Sequence, residues 1–163
     1  MKIRLSLLLL TLAMPCAARE TTVGNRVRFD YDERRWQQQP AAMAGAKIVR
    51  LADDEGDFTV LVMPEKAIAG GMRSAESRRK FIEGLSQANA KTDDVKPIKI
   101  FGLAGYEFIG GREINAVNFH MRIVLLVDEG DVLIIVSSSP GRDPMSAASI
   151  SIVWESIVLI KNA

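Results

Sequence analysis

Cysteine is nearly absent: Cys16 stands alone, so the chain can close no internal disulfide. Histidine also occurs once, as His120. One imidazole without structural thiolates is a poor donor set for zinc. An excess of either charge is missing too, with 21 Lys+Arg against 20 Asp+Glu. That balance argues against a nucleic-acid binder, which needs a basic surface to neutralise phosphates. No apolar run reaches the roughly 20 residues that span a bilayer as a helix.

The first residues are a composition of their own. Met1-Lys2-Ile3-Arg4 brings two positive charges, and Leu5 to Met14 is apolar except for Ser6 and Thr11. Pro15-Cys16-Ala17-Ala18 follows. A charged start, a short apolar run and small residues read as a secretory signal peptide, with cleavage expected after Ala18. Removing residues 1–18 leaves a single domain, 19–163, of 145 residues with no cysteine. That length can bury a core of its own. A second reading makes Cys16 a lipid-attachment site, although Pro15 occupies the place of the expected small residue. The expected location is the periplasm, or a membrane surface if Cys16 carries lipid.

Period-2 alternation dominates the rest. Val27, Phe29 and Tyr31 alternate with Arg26, Arg28 and Asp30, as in a half-buried strand. Residues 33–45 read as a polar loop around Trp36. Ile48–Leu51 and Phe58–Met63 form a hairpin across Asp54-Glu55-Gly56-Asp57. Ser74 is a good N-cap for an amphipathic helix over 74–89, with Phe81, Ile82 and Leu85 on its apolar stripe. Val95 to Phe101 reads as a strand that Pro97 confines to an edge. Tyr106–Ile109 reads as a strand closed by Gly110-Gly111. In the long strand from Val117, the odd-numbered residues point one way, and Asn118, His120 and Arg122 the other. Past Val124 both faces are apolar, so that end should be covered twice. Asp128-Glu129-Gly130-Asp131 then joins Val132–Val136. Asp143 and Pro144 open a helix expected to reach about Lys161, with Trp154 on its core side. The recurrence of Asp-Glu-Gly-Asp fits a duplication or two uses of one turn sequence.

Chemical constellations are weak. His120 could pair with Ser137, Ser138 or Ser139 on the next strand, but no nucleophile-elbow sequence is present. The two acidic tetrapeptides are sized for turns, not for a calcium loop that spreads its oxygens over a dozen residues. Gly102-x-x-Gly105 and Gly110-Gly111 lack the Lys-Ser/Thr of a phosphate loop. Glu107 and Glu113 read as separate solvated carboxylates rather than a glycosidase pair. The polar group with most promise is Arg112, Asn118, His120 and Arg122, a set that could meet an acidic ligand or partner, or simply be solvated.

The order of elements resembles the PsbP-like fold, which includes photosystem subunits, a nuclear-transport cofactor and bacterial envelope proteins of the DcrB type. The landmarks are the strand leading to a tryptophan (Phe29 to Trp36), the turn Gly102-Leu103-Ala104-Gly105-Tyr106, the paired strands Val117–Val127 and Val132–Val136, and the terminal helix from Pro144 to Ile160. The resemblance implies an α+β fold, an antiparallel sheet with helices packed on it, and usually a non-enzymatic binding or assembly role. It brings no catalytic residues and no cofactor. The leading expectation is thus an exported envelope protein that binds a protein partner. The alternative is a small-molecule or lipid binder with a pocket between sheet and helix.

Overall fold

The computed structural model describes residues 18–68, 71–72, 74–86 and 95–161. Residues 1–17, most of the segment read as a signal peptide and including Cys16, and the last residues assigned to the first helix lie outside them. Ten strands and two helices follow in chain order: β1 (Ala18–Val23), β2 (Val27–Asp32), β3 (Gln37–Gln39), β4 (Lys47–Ala52), β5 (Asp57–Pro64), α1 (Ala75–Ser86), β6 (Val95–Ile100), β7 (Leu103–Ile114), β8 (Val117–Asp128), β9 (Asp131–Pro140), α2 (Ala148–Glu155) and β10 (Val158–Leu159). Seven strands form one sheet in the order β3-β4-β5-β9-β8-β7-β6, and β1-β2-β10 form a second. Every pairing is antiparallel.

Alternation along β5, β8 and β9 puts apolar side chains on both faces of the large sheet. Phe58, Val60, Val62, Val124, Leu126, Leu133 and Ile135 bury against β1, β2 and α2 in one cluster. Leu61, Met63, Ile123, Leu125, Val132 and Ile134 bury on the other face with Ile82 of α1, Ile68 and Met72. The near-continuous apolar runs of β8 and β9 are thus the signature of strands covered on both sides.

Several expectations change. β1, which no sequence pattern announces, is an edge strand whose mostly exposed side chains give no hydrophobic signal. Within the supposed loop 33–45, β3 pairs with β4. Gly110 and Gly111 do not end a strand. They lie inside β7, and a Cβ at Gly110 would stand 2.3 Å from the Phe108 ring, so glycine lets that ring lie over the strand. The last helix stops at Glu155 instead of near Lys161. Val158 and Leu159 extend and pair with Arg28 and Val27, giving the backbone of β2 a second neighbour, as their β-branched and aliphatic side chains prefer. Asp143 does cap, but it caps a short 3-10 turn, Pro144–Ser146, ahead of α2.

The two Asp-Glu-Gly-Asp tetrapeptides close different turns. Asp128 pairs with Asp131 around a two-residue loop in which Glu129 and Gly130 both take positive φ, 52° and 84°. In the other hairpin Ala52 pairs with Asp57, so the loop is 53–56, held by the Asp53 carboxylate accepting from the Glu55 and Gly56 N–H groups. Gly56 is needed there because a Cβ would fall 2.0 Å from the Ser138 carbonyl oxygen.

Candidate functional site

β7 and β8 are the longest strands, at 12 residues each, and they outrun their neighbour. β9 ends at Pro140, opposite Phe119, so the outer part of the β7–β8 hairpin pairs only with itself. It closes through Asn115 and Ala116, both at positive φ (51° and 62°). Three large apolar side chains on this arm are exposed: Ile109 (65%), Val117 (43%) and Ile114 (36%). Ile114 and Val117 are register partners on the α1 side, while Ile109, opposite Arg122, faces the other way. Apolar surface is therefore open on both faces of the arm.

The four polar residues singled out in the sequence sit on this hairpin, but the sheet divides them. Arg112 is opposite Phe119 and shares the α1 face with Phe108 and Met121. Asn118, His120 and Arg122 share the opposite face with Val124 and Leu126. Asn118 is exposed, and its carbonyl accepts from the Gly141 N–H at 2.7 Å. His120 is exposed, and its side chain makes no hydrogen bond among the described residues. Ser139, its register partner, is fully buried and donates its hydroxyl to the Glu55 carbonyl at 2.6 Å. The Ser139 hydroxyl is thus turned to Glu55, and no hydrogen bond joins it to His120 among the described residues.

Arg122 is half-buried and engaged. Its Nε donates to Glu107 at 2.7 Å, and its guanidinium lies 4.6 Å from the centre of the Trp154 ring. Glu107 and Glu113 share a face of one continuous strand, yet Glu107 is committed to Arg122. The sequence hid this because the partner lies 15 residues away across a turn. It also hid the exposure of Val117, which the alternation assigns to the core row. Only the length of β9 decides where cover ends.

The acidic tetrapeptides grip arginines. Asp128, Glu129 and Asp131 surround the buried Arg26, at the start of β2. Glu55 reaches α2: it accepts from the Ser149 N–H at 3.0 Å and pairs with Arg142 (2.8 Å) and Arg35 (2.6 Å). The Ser149 N–H, then the two guanidiniums, hold the Glu55 carboxyl down at about 2. Among the described residues no group of three or more His, Cys, Asp or Glu is placed to hold a metal ion. None of the described helices is long and apolar enough to cross a membrane.

No family profile and no curated protein matches this chain. Solved structures do. A Bacteroides thetaiotaomicron protein superposes with a TM-score of 0.57 at 8% identity, over 83% of this chain and 46% of its own. This chain therefore spans about half of that protein's length. Cyanobacterial PsbP (CyanoP) from Synechocystis sp. PCC 6803 also superposes at 0.57, with 11% identity over 90% of this chain and 95% of its own. LpqN, involved in cell envelope biogenesis of Mycobacterium tuberculosis, reaches 0.35 at 12% identity over 92% and 88%, too loose a superposition to bear on the fold. With nearly the whole of both chains following one path in the CyanoP comparison, this protein has the PsbP-like fold.

Proposed function

We propose that this is an exported, non-enzymatic protein of the cell envelope that docks a partner protein through the outer half of the β7–β8 hairpin. The observation that carries the reading is the apolar surface left open on that arm, Ile114 and Val117 on the α1 face and Ile109 on the other, where Asn118 and His120 border it. Exposed apolar clusters rimmed by polar groups mark interaction sites on folded proteins. Export rests on the composition of residues 1–18, and cleavage after Ala18 leaves Arg19–Val23 of β1 to pair with β2. A non-enzymatic role is supported by the Ser139 hydroxyl being committed to the Glu55 carbonyl rather than to His120. A periplasmic location follows from export, and lipid on Cys16 would fix the same domain to a membrane surface.

Affinity capture from envelope extracts tests the docking surface. The parent should retain a specific partner, and an Ile114→Asp, Val117→Asp variant should lose it while remaining folded by circular dichroism, since both positions lie on the exposed end of the hairpin. A partner captured equally by both proteins would reject this surface.

A further inference from the structure

The β7–β8 arm ends in a turn that departs from its counterparts in the large sheet. Three hairpins of that sheet close through two residues, both at positive φ. They are Phe101-Gly102 (53° and 81°), Asn115-Ala116 (51° and 62°) and Glu129-Gly130 (52° and 84°). In the left-handed region a Cβ crowds the following carbonyl oxygen, so glycine is the favoured residue. Glycine fills the second place in two of the three turns, and alanine fills it in the arm. Asparagine tolerates the first place, so the strain of this turn lies at Ala116.

The two-residue loop between Ile114 and Val117 forces this backbone conformation, but it does not require a methyl group. Ala116 is exposed and belongs to neither hydrophobic cluster, so glycine would relieve the strain without loss of packing. A strained residue that the core makes no use of points to a contact outside the chain. The faces of the arm say how that contact is made. Ile114 and Val117 are exposed on the α1 face and Ile109 on the opposite one. A flat partner surface could cover only one of them. A partner that covers both must close round the arm, and the turn is then the part that reaches furthest in.

We propose that the arm enters an apolar recess of its partner protein end-first, and that the Ala116 methyl is the contact at the floor of that recess. This rests on the docking surface described above and makes the partner's side of the contact concave and apolar. The probe is the envelope-extract protein that the immobilised parent retains and the Ile114→Asp, Val117→Asp variant does not. Its retention is measured over a series of bait densities. Ala116→Gly should raise the melting temperature by about 1–3 °C, because the strain is released. It should nevertheless weaken retention about fourfold, the worth of one buried methyl group. Ala116→Asn also tolerates the left-handed region, and it should weaken retention at least about tenfold by bringing an amide into an apolar recess. Gly130→Ala is the control. A Cβ there meets nothing within 4 Å, so the variant puts the same strain into the β8–β9 turn alone. It should lower the melting temperature by about 2–5 °C and leave retention like the parent's. An unchanged melting temperature in Ala116→Gly would overturn the strain. Parent-like retention by Ala116→Gly or Ala116→Asn, or weakened retention by Gly130→Ala, would overturn the contact while leaving the docking surface intact. Parent-like retention by every variant, Ile114→Asp, Val117→Asp included, would reject the docking surface itself.

Discussion

Trp154 joins α2 to the large sheet. It projects from α2 into the cluster beneath the large sheet, meets Phe58 edge-on at 5.8 Å, and donates from Nε1 to the buried Ser137 hydroxyl at 3.2 Å. Arg122 covers its ring from the sheet side. Trp154→Ala should therefore cost about 3–5 kcal/mol in a denaturant titration. Arg122→Ala is the sharper case. A solvated arginine would lose less than about 0.5 kcal/mol, but this one has a half-buried carboxylate partner and an aromatic face. A loss of about 1–2 kcal/mol is expected, from the ion pair and the ring contact together. A variant as stable as the parent would show that the stacked arrangement contributes nothing. The prospective binding row thus resolves into one structural residue, Arg122, and two free to meet a partner, Asn118 and His120.

At the scale of elements, the β4–β5 hairpin is fastened to α2 by Glu55. The carboxylate accepts from the Ser149 N–H near the start of the helix, where backbone donors are not satisfied within the helix. Its folded value of about 2 lies below the ordinary 4.5, so the unfolded chain takes up the proton first as the medium is acidified. The stabilisation is complete above about 4.5 and is lost as pH falls through about 2. Glu55→Gln should lower stability near neutral pH by about 1.5–3 kcal/mol, the usual worth of hydrogen bonds to a charged group. The variant's stability should also depend less on pH between those limits. Equal acid sensitivity in parent and variant would contradict the fastening.

The same elements show what the sequence could express. Strands buried on one or both faces were legible, because alternation and continuous apolar runs follow from burial. β1 and β3 were not, since Ala-Arg-Glu-Thr-Thr-Val and Gln-Gln-Gln bury almost nothing and are held by backbone ladders. Gly110-Gly111 looked like a stop because the usual penalty of glycine in a strand ignores a ring lying over it. Asp-Glu-Gly-Asp was legible as a turn but not as an arginine clamp, because Arg26 and Arg35 are far away in sequence. The candidate residues lay on the correct hairpin. Their division between two faces depended on β7 continuing through its glycines.

Over the whole molecule, cover is the variable that separates structure from function. One face of the large sheet is closed by β1, β2 and α2, and the other only in part by α1. Among the described residues, what remains open is the outer β7–β8 arm and a cleft beside α1, both outside the double-covered centre. A binding protein is well served by such a plan, because contacts made at the periphery do not disturb the core that fixes their position. Another exposed apolar residue, Ile152 on α2, lies away from the arm and provides an internal control at 63% exposure. The most direct measurement of the docking claim is photo-crosslinking in living cells, with a photoreactive amino acid at Val117, at Ile109 or at Ile152. The expected result is a discrete crosslinked partner from Val117 and Ile109 and none from Ile152. No crosslink from either arm position, or the same crosslinks from all three, would contradict it.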